Sequence, residues 1–258
     1  MIPERLVPGT PEWDLYFVEH KQRYDFFADR CRGLRVLDAA CGVGYGSQIL
    51  AKAGAAEVVG VDISEEAIRY ARAHFAHPCV RFINSDLQRL EELNLSVDAI
   101  MSFETIEHLP YPEQFVSGAR KVLKPGGFFV ISTPNKDFDG KGSTPNPYHV
   151  SELTLTEFLA LCEKYFRVEE KYHQSHSQSY LRHQALLREF ESLQKRVRFS
   201  KLLSFENRVR KLLGRRSWDG APLSHKLWQA VPGDFVIEAL DTPDNSQLAY
   251  ILVGAGRQ

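Results

Sequence analysis

An α/β fold on an open, mostly parallel sheet is what this sequence predicts, and three observations carry the prediction. From about residue 34, short β-branched runs alternate with helical patterns, the signature of βαβ units. The first of these runs opens into a glycine-rich turn and a helix. The 258 residues, 43% of them apolar, suffice for one large domain with a substantial core.

The elements follow in order. Residues 11–30 form an aromatic, charged helix candidate that leads into the first strand. The strand candidates are Arg35–Ala39, Glu57–Val61, Val80–Asn84, Val97–Ser102, Phe128–Ser132 and Phe166–His173. Amphipathic stretches lie between them: Ser47–Ala53, Glu65–His74, Gln114–Leu123 and Thr154–Lys164. Ser64 is placed to cap the Glu65 helix, whose first turn carries the carboxylates that favour a helix N-terminus. Pro125-Gly126-Gly127 predicts a stop and a turn. Residues 175–233 break the alternation with a basic helical stretch, in which Leu186, Phe190, Leu193 and Val197 keep helical spacing. Because a final strand pair, Asp234–Leu240 and Gln247–Val253, lies beyond it, this stretch reads as an insertion. The expected organisation is a helical cap at 1–33, a core at 34–174, the insertion at 175–233 and closing strands at 234–258.

Composition excludes some classes. A net charge of -1 gives no global reason to expect a nucleic-acid binder. Met1-Ile2-Pro3-Glu4-Arg5 lacks the basic and then apolar run of a signal peptide, and no apolar run approaches the ~20 residues that cross a bilayer. Cys31, Cys41, Cys79 and Cys162 show no CxxC spacing and suit reduced, packed thiols in a cytoplasmic protein.

The loop after the first strand runs Val36-Leu37-Asp38-Ala39-Ala40-Cys41-Gly42-Val43-Gly44-Tyr45-Gly46. A dinucleotide site wants G-x-G-x-x-G, with pyrophosphate on the helix N-terminus. Here the third glycine arrives one residue early and Ser47 holds the required position. Asp38, ahead of the first glycine, would repel a phosphate and attract an ammonium. S-adenosylmethionine (SAM) has an ammonium, a carboxylate and no phosphate, so a SAM site is predicted. Asp62 ends the second strand, where a carboxylate accepts from ribose hydroxyls, and Asp86 ends the third, where it accepts from the adenine amino group. Singly each is an ordinary loop carboxylate. Together they converge on the crevice where open α/β sheets bind ligands.

The run Asp38–Gly46, then Val59-Gly60-Val61-Asp62-Ile63-Ser64, then Leu123-Lys124-Pro125-Gly126-Gly127, resembles class I SAM-dependent methyltransferases over residues 34–172. That resemblance implies a Rossmann-like, seven-stranded sheet with an antiparallel last strand, for which Gln247–Val253 is suited. It places Asp38 and Gly42 at the methionine end and Ile63 and Leu87 beside the adenine, with Ala39 and Gly44 as further cofactor contacts. Phe103 joins the cofactor contacts. Tyr16–Tyr24 is similar to a helix that closes over SAM in related enzymes, with Arg23 placed to hold the SAM carboxylate.

On the acceptor side stands Ser102-Phe103-Glu104-Thr105-Ile106-Glu107-His108-Leu109-Pro110. If the chain turns helical there, Glu104, Glu107 and His108 share one face. His149, in Asn146-Pro147-Tyr148-His149, follows the neighbouring fifth strand. Three roles stay open for these side chains. Two carboxylates and two imidazoles suit a divalent metal, Mg²⁺ or Mn²⁺ with water and acceptor oxygens, Zn²⁺ if the shell closes. His149 alone is a candidate general base, with His108 and Glu104 as further catalytic candidates. His149 as a purely structural loop residue is the third.

The arrangement resembles ubiquinone-pathway O-methyltransferases and small-RNA 2′-O-methyltransferases. With Ser132-Thr133-Pro134-Asn135 and His149–Thr154 it looks still more like methyltransferases associated with bacterial glycan biosynthesis. The resulting expectation is an O-methyltransferase acting on a sugar or glycan hydroxyl. A small quinol or natural product is the alternative acceptor, and RNA a further one. Residues 182–216 carry eleven Lys and Arg against three Glu, an asymmetry that suits an anionic partner (RNA, an acidic glycan or an anionic membrane surface) or a solvated helical face. The insertion as a whole is expected to be a lid or acceptor channel.

Overall fold

Strands that are apolar on both faces must be covered on both faces, and that requirement builds this molecule. The structure, a computed structural model, describes residues 5–137, 146–177, Tyr180, 235–240 and 250–256. Five parallel strands come first: β1 (Arg35–Ala39), β2 (Glu57–Asp62), β3 (Val80–Asn84), β4 (Val97–Ser102) and β5 (Leu123–Pro134). Their spatial order is β3-β2-β1-β4-β5. Neighbouring residues in a strand point to opposite faces, so Leu37, Val59, Ile100 and Phe129 enter one core while Val36, Val58, Ala99 and Val130 enter the other. Helices α4 (Pro112–Val122) and α5 (Leu155–Glu163) close the first face with Phe115, Val116 and Phe158. Helices α1 (Pro11–Ala28) and α2 (Tyr45–Lys52) close the second with Phe27 and Leu50. Helix α3 (Glu65–His74) adds Ile68 and Ala71 against Phe82.

Local chemistry sets the boundaries. The Ser64 hydroxyl accepts the Ala67 N–H, and Glu65 and Glu66 occupy the first turn of α3. Thr154 and Glu157 form a reciprocal capping box at the start of α5, and Thr10 caps α1. Pro125-Gly126-Gly127, expected as a stop and turn ahead of the fifth strand, lies inside that strand. Helix α4 stops at Val122, and the Pro-Gly-Gly run is a wide bulge inside β5. There Leu123 to Phe128 opposes only Val97 to Ala99 on β4.

All eight strand candidates form, one more than the seven that the family resemblance implies. β6 (Arg167–His176), β7 (Phe235–Ala239) and β8 (Tyr250–Gly256) extend the sheet in the order β5-β8-β6-β7. As expected, the last strand is antiparallel: β8 inserts between β5 and β6 and runs against both. β7, expected as Asp234–Leu240, pairs antiparallel with the outer edge of β6. The expected core boundary at residue 174 falls inside β6, which runs on to His176. The basic stretch at 182–216 and most of the 175–233 insertion lie outside the described residues. No described helix is long and apolar enough to cross a membrane. All four cysteines are free thiols.

Candidate functional site

β1, β2 and β3 all end at one rim of the sheet, and each delivers a carboxylate there. Asp38 closes β1 fully buried, accepting the Tyr24 hydroxyl at 2.9 Å and the Ser47 hydroxyl at 2.6 Å. Burial pushes its pKa up to about 6, against the opposing pull of those two hydroxyls. Asp62 accepts the Gly42 N–H at 2.9 Å, the Ser64 N–H at 2.8 Å and the Arg5 guanidinium at 2.7 Å. Asp86 caps a short 3-10 helix, Leu87–Leu93, by accepting the Gln88 N–H at 2.9 Å. The turn between β1 and α2 is tight. Gly44 has φ +95°, and a Cβ on Gly46 would fall 2.1 Å from the Tyr24 ring. Only glycine lets Tyr24 lie across the loop and reach Asp38.

These elements enclose a cavity of about 270 Å³. Of the residues expected at the cofactor, Gly42, Asp62, Ile63, Asp86, Leu87 and Phe103 line it. Ala39 and Gly44 belong to the strand end and turn that shape it. Asp38 and Arg23, both fully buried, stand behind the lining. The Arg23 Nε donates to Gln174 at 2.7 Å, and its terminal nitrogens lie 3.3 Å from Glu19 and 3.7 Å from Glu104. Its charge is thus taken up by protein carboxylates in this structure.

The acceptor-side segment folds differently from its helical pattern. Glu104 adopts φ +53°, and only Ile106–His108 forms a 3-10 turn. The Ser132 hydroxyl accepts the Glu104 N–H at 3.2 Å and donates to its carboxylate at 2.8 Å, holding the residue in that left-handed conformation. Glu104 therefore leaves the set of four. Glu107, His108 and His149 do come together, each offering one ligand atom within 4.8 Å of the others. The two imidazole rings meet edge to face at 5.0 Å.

Glu107 is fully buried. One carboxylate oxygen accepts from Thr133 at 3.1 Å. The other has no hydrogen-bond partner and lies 3.8 Å from the His108 Nε2. Burial raises the Glu107 pKa well above the usual carboxylate range, and the nearby Glu104 charge raises it further. Burial also raises that of Glu104. His108 and Glu104 line the cofactor cavity, so this group adjoins it.

Comparison with known proteins decides the family. The family model for a methyltransferase domain matches residues 37–131. A protein of Mycolicibacterium smegmatis named a probable S-adenosylmethionine-dependent methyltransferase is 40% identical over 162 residues, 62% of this chain and 62% of that one. Residues 37–131 are a class I SAM-dependent methyltransferase domain. A ubiquinone biosynthesis O-methyltransferase of Neisseria meningitidis is 38% identical over 117 residues, 44% of this chain and 49% of that one. The chain thus spans less than two thirds of the length of these relatives. Among solved structures, an S-adenosylmethionine-dependent methyltransferase from Mesorhizobium loti superposes with TM-score 0.53 at 16% identity, covering 97% of this chain and 99% of that one. A Thermotoga maritima SAM-dependent methyltransferase gives TM-score 0.58 at 14% identity, covering 96% and 95%. At such identities the likeness shows the fold.

The cavity is also lined by residues not among the expected cofactor contacts. Arg5, His20 and Tyr24 line the cavity. Burial, then the Arg23 charge, lowers the His20 pKa to about 3, so the ring is neutral. A signal for this face was present, because Trp13, Phe17, His20 and Tyr24 recur at helical spacing along α1. Trp13 and Phe17 stack at 3.8 Å and pack edge-on against Tyr45 of the cofactor turn. Glu152, which bonds His149 at 2.8 Å, was passed over as well.

Proposed function

We propose that this chain transfers the methyl group of SAM to a hydroxyl of a sugar or glycan intermediate. One observation carries the reading: an imidazole–carboxylate group, Glu107, His108 and His149, stands beside the cofactor cavity at the carboxyl ends of β4 and β5. Such a group suits an acceptor that must lose a proton. In the transfer, the S–CH₃ bond breaks with its electron pair going to sulfur while the O–CH₃ bond forms. The hydroxyl proton passes to the His149 Nε2. Positioning carries much of the acceleration, and proton removal by a held histidine typically adds ~10²–10⁴-fold. The likeness to a ubiquinone O-methyltransferase supports transfer to oxygen and favours a small quinol as the second acceptor class. The test is the position of the methyl group in the product. Mass spectrometry should place it on a sugar oxygen; a methyl on nitrogen or carbon would overturn the reading.

At the cofactor, the Asp38 carboxylate would receive the SAM ammonium. A carboxyl with pKa about 6 is protonated below that pH and then cannot serve as the counter-ion. SAM affinity should therefore fall by up to about tenfold per pH unit as the pH drops through about 6. The sign for folding is opposite. A carboxyl with a raised folded-state pKa stabilises the empty protein below the unfolded value and loses that contribution as pH rises through about 6. Calorimetry with SAM across this range, compared with Asp38→Asn, checks the first slope.

A divalent cation also fits these residues. Glu107 holds a buried carboxylate oxygen with no hydrogen-bond partner, and the Nδ1 atoms of His108 and His149 face the Tyr148 carbonyl and Glu152. Metal-binding histidines characteristically carry such outer partners. The residues that would hold the ion are Glu107, His108 and His149, without Glu104. The chemistry it supplies is acidification and orientation of the acceptor hydroxyl. On this second reading, turnover is lost with chelator and restored by Mg²⁺ or Mn²⁺. Full turnover after exhaustive chelation would leave His149 as a metal-free base.

A further inference from the structure

The backbone around His149 is pinned on both sides. The Asn146 side-chain oxygen accepts the Tyr148 N–H at 3.0 Å, and the Asn146 carbonyl accepts the His149 N–H at 3.1 Å. Beyond His149, the Val150 and Ser151 N–H groups both donate to the Glu107 carbonyl, at 2.8 and 2.9 Å. The Ser151 hydroxyl then bonds the Leu109 carbonyl at 2.7 Å. These contacts fix where the ring is attached and leave its own rotation and its proton to the side chains around it.

Glu152 supplies that control. Its carboxylate lies 2.8 Å from the His149 Nδ1, in a pair whose side chains are 31% and 15% exposed. A carboxylate only accepts, so the neutral imidazole must place its single proton on Nδ1. Nε2 then keeps its lone pair. His108 is held in the same way by the Tyr148 carbonyl, 3.2 Å from its Nδ1. A main-chain carbonyl at one ring and a carboxylate at the other thus set both tautomers in the group that includes Glu107.

We propose that Glu152 is a positioning residue that holds His149 in the Nδ1–H tautomer and presents Nε2 to the acceptor. This rests on the reading of His149 as the group that acts on the acceptor. It applies equally whether Nε2 takes a proton or binds a cation, because both need the lone pair.

The experiment uses the full chain labelled with ¹⁵N-histidine. Long-range ¹H–¹⁵N spectra at alkaline pH locate the proton, and His149→Gln assigns the resonance. Wild type should show His149 protonated on Nδ1. Glu152→Ala should lose that state and lower kcat by about 10- to 100-fold, the usual cost of removing such an outer partner. KM and Kd for SAM should stay unchanged, which also shows that the variant folds. Glu152→Asp should restore both the spectrum and kcat, and Glu152→Ser serves if the alanine variant does not fold. A wild-type protein with His149 protonated on Nε2, or a Glu152→Ala protein with wild-type tautomer or wild-type kcat, would overturn the proposal. The spectrum needs no acceptor, so failure of the O-methyl reading would show separately, as wild-type protein that methylates no hydroxyl.

Discussion

His149→Ala should lower kcat by about a hundredfold or more and leave SAM affinity nearly unchanged. Geometry separates the two effects. The proposed cofactor contacts, Asp38, Asp62 and Asp86, lie at the carboxyl ends of β1, β2 and β3. His149 lies in the loop beyond β5, bonded to Glu152 and packed edge to face on His108. Removing its imidazole deletes a proton acceptor and one member of the Glu107–His108–His149 group, yet touches none of the residues that hold the glycine turn. The same outcome follows if His149 binds a cation, so chelation, and not this substitution, separates those roles. Near wild-type kcat for His149→Ala, measured with saturating acceptor, would reduce His149 to a loop residue.

Asp62→Ala should weaken SAM binding by about 1.5–3 kcal/mol, roughly 10- to 150-fold. Two losses combine here. The carboxylate would no longer accept from the ribose hydroxyls. It would also release the Gly42 and Ser64 N–H groups, which it now accepts at 2.9 and 2.8 Å, so the glycine turn loses its tie to β2. The third partner, Arg5, makes a contact that a ribose would have to displace or share. Calorimetry on a folded Asp62→Ala protein reads the effect. Unchanged SAM affinity would mean that the ribose site has been misassigned.

Legibility in the sequence followed the range of the interactions. β1, β3 and β4 fall on their expected residues, and in β1 and β4 burial on both faces demands the apolar residues found there. The start of α3 falls on Ser64 because its cap is local. Long-range contacts produced the differences. Glu104, Glu107 and His108 have helical spacing, but a single hydroxyl on β5, Ser132, holds Glu104 at φ +53° and turns it away. β7 lies where the strand Asp234–Leu240 was expected, but its pairing with β6 spans a chain separation that no local pattern reports. The role of α1 was half legible. The resemblance of Tyr16–Tyr24 to a helix that closes over SAM marked it as a cap, while the buried Arg23–Glu19–Gln174 contacts depend on β6. Asp38, Asp62 and Asp86 were readable because strand ends fix where they meet.

Methyl transfer from SAM to a carbohydrate hydroxyl is read out in the fate of the methyl group. Purified protein is incubated with radiolabelled methyl-SAM against separate glycan, lipid and RNA extracts. Label should enter the glycan pool, be recovered as a methylated sugar and be lost with His149→Ala. Label confined to RNA, or to a lipid quinol, or absent from every pool while SAM binding is intact, would contradict it.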